Sequence, residues 1–151
     1  MIIDDELILI NLVAETRDRA LSVLGNRLFE EGYVTADFVR SVMEREKVYP
    51  TGLPTSPYGL AIPHTDSDKV IKPKIAIATL KDPVKFLSMS NLEEEVDVKI
   101  IFMLALKDPL EQLEVLQKLT GIFQDSDAVT RIANVESSEE FYQLLVSLDS
   151  M

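Results

Sequence analysis

"VDVKIIFMLAL", residues 96–106, is a long and almost entirely apolar run near the middle of the chain. A strand with one face in water alternates apolar and polar residues, whereas a run of this kind suits a strand covered on both faces. We therefore predict a buried strand over 96–106, at the centre of a sheet that has other elements packed on it.

The clearest helix follows directly, over "DPLEQLEVLQKLTGIF" (108–123). Asp108 is a typical N-cap, Pro109 suits the first helical position, and Glu111 lies where a capping box has its acid. The pattern also predicts two further helices downstream, over "SDAVTRIANV" (126–135) and "SSEEFYQLLVSL" (137–148), the second with Ser137 and Glu140 as another capping box.

Strands and helices also precede the central run. Apolar segments predict strands over 6–11, 59–62, 74–80 and 84–87. Apolar residues at helical spacing predict one helix between the N-cap Thr16 and Gly32, and a second that begins at the N-cap Thr35 and runs into 44–47.

Residues 48–58 hold three prolines and a glycine, and they are predicted to form a loop. The order of the predicted elements along the chain, with helices followed by strands and then by helices, indicates a single α/β sandwich with a mixed sheet. A length of 151 residues suits one domain over 1–151, because domains usually have about 100–200 residues.

Composition excludes several classes of function. Fifteen basic and 26 acidic residues give a net charge of −11, which argues against nucleic acid and against anionic membrane surfaces. Cysteine is absent, so disulfides and thiol catalysis are excluded. The acidic start "MIIDDELILIN" is not a signal peptide, and no apolar run reaches the ~20 residues that span a bilayer. We expect a soluble, cytoplasmic protein with no cofactor, no metal ion and no segment inserted in a membrane.

The chain has a single histidine, His64, in the stretch "GLAIPHTD" (59–66). A lone histidine is more often a surface residue or a hydrogen-bonded core residue than a functional one. Here it follows the end of a predicted strand and Pro63, and strand ends are where sites form in α/β sheets. His64 is therefore the first candidate for chemistry.

Three kinds of chemistry can be weighed for this histidine. A serine hydrolase needs an activated serine, and the chain has no G-x-S-x-G. Asp66 and Asp68 could join His64 in a metal site, but "DSD" after a strand is more typical of a solvated turn. A neutral ring nitrogen can also attack a phosphoryl group, which needs neither a serine nor a metal. Asp66, Asp68 or a backbone carbonyl could then hold the other ring nitrogen.

"REKVYPTGLPTSPYGLAIPHTD" (45–66) resembles the active-site segment of the fructose/mannitol-type enzyme IIA domains of the bacterial phosphoenolpyruvate-dependent sugar phosphotransferase system. That family has an R-E pair at the end of a helix, a T-G turn and then G-x-A-x-P-H. The long "PTGLPTSPYG" connection and "AIPHTD" resemble the galactitol subgroup more than the mannitol or nitrogen-regulatory subgroups. The resemblance continues through "VIKPKIAIATLKDPVKF" (70–86) and "IIFMLALKDPLEQLEVLQKL" (100–119) to the end of the chain.

The resemblance implies a fold, a reaction and partners. The fold is a central mixed sheet with helices on both sides. His64 would take a phosphoryl group, usually on Nε2, from the small carrier protein HPr and pass it to a cysteine of enzyme IIB. The two subunits would act with a membrane IIC subunit during uptake of galactitol or a related sugar. A nitrogen-type regulator, in which phosphorylation controls a partner protein, is the alternative, and a relative that has lost its activity is a third possibility.

The resemblance also assigns roles to other residues. Arg45 matches the family arginine beside the phosphorylated ring, although a helix-end cation is also commonly just solvated. Thr51 matches the turn threonine, with a structural role. Gln112 stands where many relatives have a second histidine, and it would act as a neutral hydrogen-bond donor unless it is a solvated residue without a role.

A docking surface around the histidine is expected in the proline-rich loop. Small apolar patches with polar rims commonly mark transient interfaces. We predict that the patch is formed by Leu53, Pro54, Pro57 and Tyr58. The alternative is that Leu53 and Tyr58 pack into the core.

Overall fold

The computed structural model describes residues 2–149, and the strands in this part of the chain form one mixed sheet. The strands are β1 (Ile8–Leu12), β2 (Gly52–Leu53), β3 (Gly59–Ala61), β4 (Lys74–Leu87) and β5 (Glu95–Ala105). Their order is β1-β4-β5-β3-β2, with β1–β4 and β3–β5 parallel and the other two pairs antiparallel. The single domain predicted over 1–151 includes Met1, Ser150 and Met151, which lie outside the described residues.

Helices cover both faces of this sheet. They are α1 (Arg17–Glu30), α2 (Phe38–Val48), α3 (Pro109–Phe123), α4 (Ser126–Ala133) and α5 (Ser138–Asp149), with short 3-10 helices at Asp5–Leu7 and Ser67–Lys69. One core cluster includes Leu24 of α1 and Phe38 of α2, and the other includes Phe123, Ile132 and Phe141 of α3 to α5. The predicted α/β sandwich is therefore confirmed. No helix within 2–149 has the length and apolar character needed to cross a bilayer.

Strand β5 explains why the apolar run is so long. Ile101 and Met103 belong to the first core cluster, whereas Ile100 and Phe102 belong to the second. All four side chains are completely buried. Because successive side chains of a strand point to opposite faces, both faces must be apolar where both are covered by helices.

The helix ends mostly follow the predicted caps. The side chain of Thr16 accepts a hydrogen bond from the Arg19 N–H, and that of Asp108 accepts one from Leu110. Gly32 has φ +82°, the left-handed conformation that ends helix α1. The start of α2 differs from the prediction, because its N-cap is Asp37 rather than Thr35.

The loop predicted over 48–58 contains the short strand β2, and this is a correction. Gly52 pairs with Ala61, and Leu53 pairs with Leu60. Position 52 must be a glycine here, since a Cβ would lie 2.6 Å from the carbonyl oxygen of Leu87. This close approach to the end of β4 is a contact between distant parts of the chain, which local composition does not reveal.

The segments predicted as separate strands over 74–80 and 84–87 form the single strand β4. Its register against β5 shifts between Thr79 and Val84. Over this stretch β4 advances by five residues, whereas β5 advances by only two. Such a bulge contains residues that need no ladder partner, so it accommodates Pro83, which has no N–H to donate.

Candidate functional site

His64 is held against the centre of the sheet. It lies just beyond β3, and the Leu104 N–H of β5 donates a 2.9 Å hydrogen bond to the carbonyl of Pro63. His64 itself forms a bridge with Leu104, so the pairing of β3 with β5 resumes at the histidine. The backbone of this half-buried residue is therefore fixed by a neighbouring strand.

One ring nitrogen of His64 has a defined partner. Nδ1 lies 2.9 Å from the carbonyl oxygen of Ile62. A carbonyl only accepts hydrogen bonds, so Nδ1 has the proton, and in the neutral ring Nε2 keeps its lone pair. Of the three groups left open by the sequence, the backbone carbonyl is the one that orients the ring. The Asp66 carboxylate instead pairs with Arg45.

Arg45 and His64 line the same cleft. The guanidinium Nη1 of Arg45 lies 3.3 Å from a carboxylate oxygen of Asp66, and its Cζ lies 5.4 Å from the centre of the Tyr49 ring. The cleft has a volume of about 390 Å³ and is lined by Arg45, Val48, Tyr49, Pro50, Thr51, His64, Met89 and Leu92. The structure thus brings the two predicted site residues together at one surface.

A buried carboxylate supports this region, and its burial was not predicted from the sequence. Glu46 is 1% exposed, and its two oxygens accept hydrogen bonds from the N–H and the hydroxyl of Thr51, at 2.7 and 2.8 Å. Burial raises the pKa of Glu46 to about 7, although the Thr51 bonds and the charge of Arg17 act in the opposite direction. The structural role predicted for Thr51 agrees with these bonds.

Gln112 lies in the first turns of α3, and its N–H donates to the carbonyl of Asp108. Helix α3 begins five residues after Leu104, the β5 residue that pairs with His64, so its N-terminus opens at the same end of the sheet. Gln112 is half-buried and is not among the residues that line the cleft. Its role as a hydrogen-bond donor stays a prediction.

The apolar surface near His64 differs from the predicted patch. Leu53 and Tyr58 are half-buried and pack against the second core cluster, and of the four predicted residues only Pro54 and Pro57 are exposed. The exposed apolar side chains of the cleft come instead from the end of α2 and from the turn after β4. They are Val48, Tyr49, Met89 and Leu92, which are 61%, 65%, 47% and 58% exposed, respectively.

That turn reaches the cleft through two backbone contacts. Gly52 forms a bridge with Ser88, and the Met89 N–H donates a 2.8 Å hydrogen bond to the Gly52 carbonyl. Nothing local in the sequence places residues 89–92 beside His64, so their position could not be read from the chain. Among the described residues, no group of three or more His, Asp or Glu side chains is arranged to hold a metal ion.

Comparison with known proteins gives the family. Residues 1–147 match the family described as phosphoenolpyruvate-dependent sugar phosphotransferase system, EIIA 2. The chain is 29% identical over 136 residues to the mannitol-specific EIICBA component of Escherichia coli K12, a match that covers 87% of this chain and 20% of that protein. The chain thus spans about a fifth of the length of that relative.

Two relatives of similar length also match. The mannitol-specific enzyme IIA component of Halalkalibacterium halodurans is 29% identical, and the match covers 95% of this chain and 94% of that protein. The galactitol-specific EIIA component of Escherichia coli O6:H1 is 28% identical, with 89% of each chain covered.

Solved structures share the fold over nearly the whole chain. The crystal structure of IIA mannitol from Escherichia coli has a TM-score of 0.79 at 29% identity, and the match covers 94% of this chain and 97% of that one. The complex of IIA and phosphorylated IIB of the Escherichia coli mannitol system gives 0.78 at 26%, covering 94% and 95%. The nitrogen regulatory protein IIA-Ntr of Neisseria meningitidis gives 0.78 at 27%, covering 95% and 96%.

The family match includes both His64 and Arg45, which the fold brings to one cleft. The protein belongs to the EIIA 2 family of the phosphoenolpyruvate-dependent sugar phosphotransferase system.

Proposed function

We propose that this protein accepts a phosphoryl group from HPr on Nε2 of His64 and passes it to a cysteine of enzyme IIB. The observation that supports this most directly is the hydrogen bond from Nδ1 to the Ile62 carbonyl. It leaves Nε2 as the nucleophile of a ring that stands in an open cleft beside a cation.

Each transfer exchanges one bond to phosphorus for another. In the first step the Nε2 lone pair attacks the phosphorus of phosphorylated HPr, an N–P bond forms, and the bond to HPr breaks with its electron pair leaving on HPr. In the second step the cysteine thiolate of IIB attacks, a P–S bond forms, and the electron pair of the N–P bond returns to Nε2. The proton stays on Nδ1, hydrogen-bonded to the Ile62 carbonyl, throughout, so the ring needs no reorientation between steps.

Charge is supplied by the surroundings of the ring. The phosphoryl oxygens are stabilised by the Arg45 guanidinium, which the ion pair with Asp66 keeps at the cleft before the donor arrives. The positive end of helix α3 opens at the same end of the sheet and adds to this effect. The protein itself needs no metal or cofactor for either step.

A labelling experiment tests the proposal. The protein is mixed with enzyme I, HPr and radiolabelled phosphoenolpyruvate, and the chain is then isolated. We expect acid-labile, base-stable label, as a phosphohistidine requires, and we expect IIB to remove it. A chain that stays unlabelled while HPr is phosphorylated would refute the proposal.

We further propose a sugar alcohol, and specifically galactitol or a related compound, as the sugar taken up by the complete system. The long connection "PTGLPTSPYG" and the "AIPHTD" segment support the galactitol subgroup. Identities of 29% and 28% to mannitol and galactitol components do not separate the two sugars. Transfer from the labelled protein to the IIB subunits of both systems, compared at equal concentrations, distinguishes them. This role places the protein in the cytoplasm, beside a membrane IIC subunit.

A regulatory role is the second candidate, because the structure is also similar to a nitrogen regulatory IIA protein. In that case HPr-dependent labelling of His64 is retained, but IIB does not remove the label. The labelled and unlabelled forms then differ in their affinity for a regulatory partner. Incubation of labelled protein with IIB therefore decides between the two roles.

Replacement of Gln112 tests its proposed role as a donor. We expect Gln112→Ala to slow transfer from HPr by about two- to tenfold without abolishing it, the effect of one lost hydrogen bond. Gln112→His should stay active and become pH-dependent between about pH 6 and 7, where an unperturbed histidine titrates. Gln117→Ala, an exposed glutamine farther along α3, is the control. Equal rates for Gln112→Ala and the control would contradict the role.

Replacement of an exposed apolar residue tests the docking surface. We expect Leu92→Asp to raise the KM for HPr about tenfold with little change in kcat, because a carboxylate would be buried in the interface. Ile71→Asp is the matched control, since Ile71 is 57% exposed and Leu92 58%, and Ile71 does not line the cleft. An equal KM for the two variants would place docking elsewhere.

Leu53→Asp distinguishes the loop patch predicted from the sequence from the exposed apolar side chains that line the cleft. Leu53 packs against the second core cluster, so this variant should lower the melting temperature, which Leu92→Asp should leave nearly unchanged.

A further inference from the structure

Glu46 combines complete burial with a position next to a site residue. It follows Arg45 in the last turn of α2, yet its side chain turns inward and ends on Thr51. The two hydrogen bonds join the end of the helix to the start of β2 across an exposed corner of the chain, residues 47–49. Glu46 therefore fixes the relative position of α2, which has Arg45, and β2.

From Thr51 the connection continues to the histidine. The Thr51 carbonyl accepts a 3.4 Å hydrogen bond from the Ile62 N–H. The carbonyl of Ile62 in turn accepts the hydrogen bond from His64 Nδ1. Three successive contacts thus lead from the buried carboxylate to the His64 ring, the last of them through the carbonyl that sets its tautomer.

The Ile62 carbonyl is constrained on both sides. On its N-terminal side the bond to Thr51 holds the Ile62 N–H, and on its C-terminal side the Pro63 carbonyl accepts the Leu104 N–H. Pro63 also restricts the backbone of Ile62 to extended conformations. Release of Thr51 would leave only the second side fixed, and the carbonyl could then turn away from the ring.

We propose that Glu46 is a positioning residue for phosphoryl transfer, which acts through Thr51 and Ile62 to hold His64 as the Nδ1–H tautomer. The inference rests on the proposed phosphoryl-carrier function. Glu46 touches neither the ring nor the phosphoryl group, so its effect is indirect and is exerted through backbone geometry.

The burial of this carboxyl group is costly, which is consistent with such a role. A raised pKa shows that the two Thr51 bonds do not fully offset the loss of hydration. The charged group that acts on the Glu46 carboxyl from α1 is Arg17, which forms its ion pair with Asp18 instead. Glutamine or methionine would occupy the same space without this cost, so a purely structural side chain need not be acidic.

Two variants of graded severity test the proposal. Glu46→Gln replaces two charge-assisted hydrogen bonds with neutral ones, because its amide can accept from the Thr51 N–H and donate to the Thr51 hydroxyl, and Glu46→Met keeps neither bond. The control is Thr79→Val, which removes a buried 2.9 Å hydrogen bond to the Asn11 N–H on β1, away from the cleft. All proteins are compared at pH 8.5, above the raised pKa of Glu46, so that this carboxyl group is charged in the wild type.

The first measurement is the ¹⁵N spectrum of the ring, in which protonated and unprotonated nitrogens have widely different shifts. With one histidine in the chain, the spectrum has a single pair of signals. We expect the Nδ1–H pattern in the wild type and in Thr79→Val, a partial shift towards the other tautomer in Glu46→Gln, and a larger one in Glu46→Met. An unchanged pattern in Glu46→Gln and Glu46→Met would overturn the proposal.

The second measurement is transfer from HPr. We expect kcat to fall about threefold in Glu46→Gln, where the two bonds to Thr51 become neutral and weaker, and tenfold or more in Glu46→Met, where both are lost, with the KM for HPr unchanged. Equal kcat values in these variants and in Thr79→Val would also overturn it. A wild type that accepts no label refutes the proposed function instead, and the tautomer measurement then still decides whether Glu46 positions the ring. If Glu46→Met does not fold, Glu46→Gln decides alone.

Discussion

His64→Ala is expected to give a folded protein that accepts no phosphoryl group from HPr. The chain has no second imidazole and no cysteine that could take over as nucleophile. The half-buried ring belongs to neither core cluster, and its removal breaks one hydrogen bond to a backbone carbonyl. The loss of stability should therefore be about 1 kcal/mol. Radiolabel from phosphoenolpyruvate measures acceptance, and circular dichroism measures the melting temperature.

His64→Asn is the matched variant for this experiment. The asparagine amide can donate to the Ile62 carbonyl much as Nδ1 does, but it has no nucleophilic nitrogen. We expect a melting temperature near that of the wild type and no label. Wild-type labelling of either variant would show that another residue accepts the phosphoryl group, and the carrier role of His64 would be wrong.

The architecture was predictable wherever one local signal was strong. The uninterrupted apolar run of β5 indicated that both faces of the sheet are covered, and Asp108 with Pro109 marked the start of α3. The errors lie where distant segments meet. Strand β2 exists because Gly52 fits against Leu87 and pairs with Ala61, contacts that a window over 48–58 does not contain.

The site was predictable to the extent that its residues lie in one motif. His64 and Arg45 are part of a single 22-residue stretch, 45–66, and the structure places them in one cleft. The inward turn of Glu46 and the approach of Met89 and Leu92 depend on tertiary contacts, since an acid at a helix end and two apolar residues in a turn are ordinary surface features in a sequence. The docking role of Leu53, Pro54, Pro57 and Tyr58 stays a prediction.

Arg45→Lys is the second variant with a large expected effect, a roughly tenfold slower transfer from HPr. The planar guanidinium can offer two N–H groups to two phosphoryl oxygens at once, whereas an ammonium acts as a point charge and cannot reproduce that geometry. Removal of one preorganised donor typically slows an enzyme about a hundredfold or more, but the Arg45 side chain is 38% exposed and water screens its charge. Arg45→Ala, which removes the cation as well, should approach the hundredfold value.

The effect on stability should be small, and this separates a role in transfer from a role in capping the helix. The exposed ion pair of Arg45 with Asp66 contributes about 1 kcal/mol at most, so the melting temperature should fall by no more than about 4 °C. Arg40→Lys, an exposed arginine on the same helix, is the control for a general loss of helix stability. Single-turnover transfer from labelled HPr measures the rate, and thermal unfolding is followed on the same samples. If Arg45→Lys transfers as fast as Arg40→Lys, the guanidinium has no part in the chemistry, and Arg45 is only a solvated cation at the end of α2.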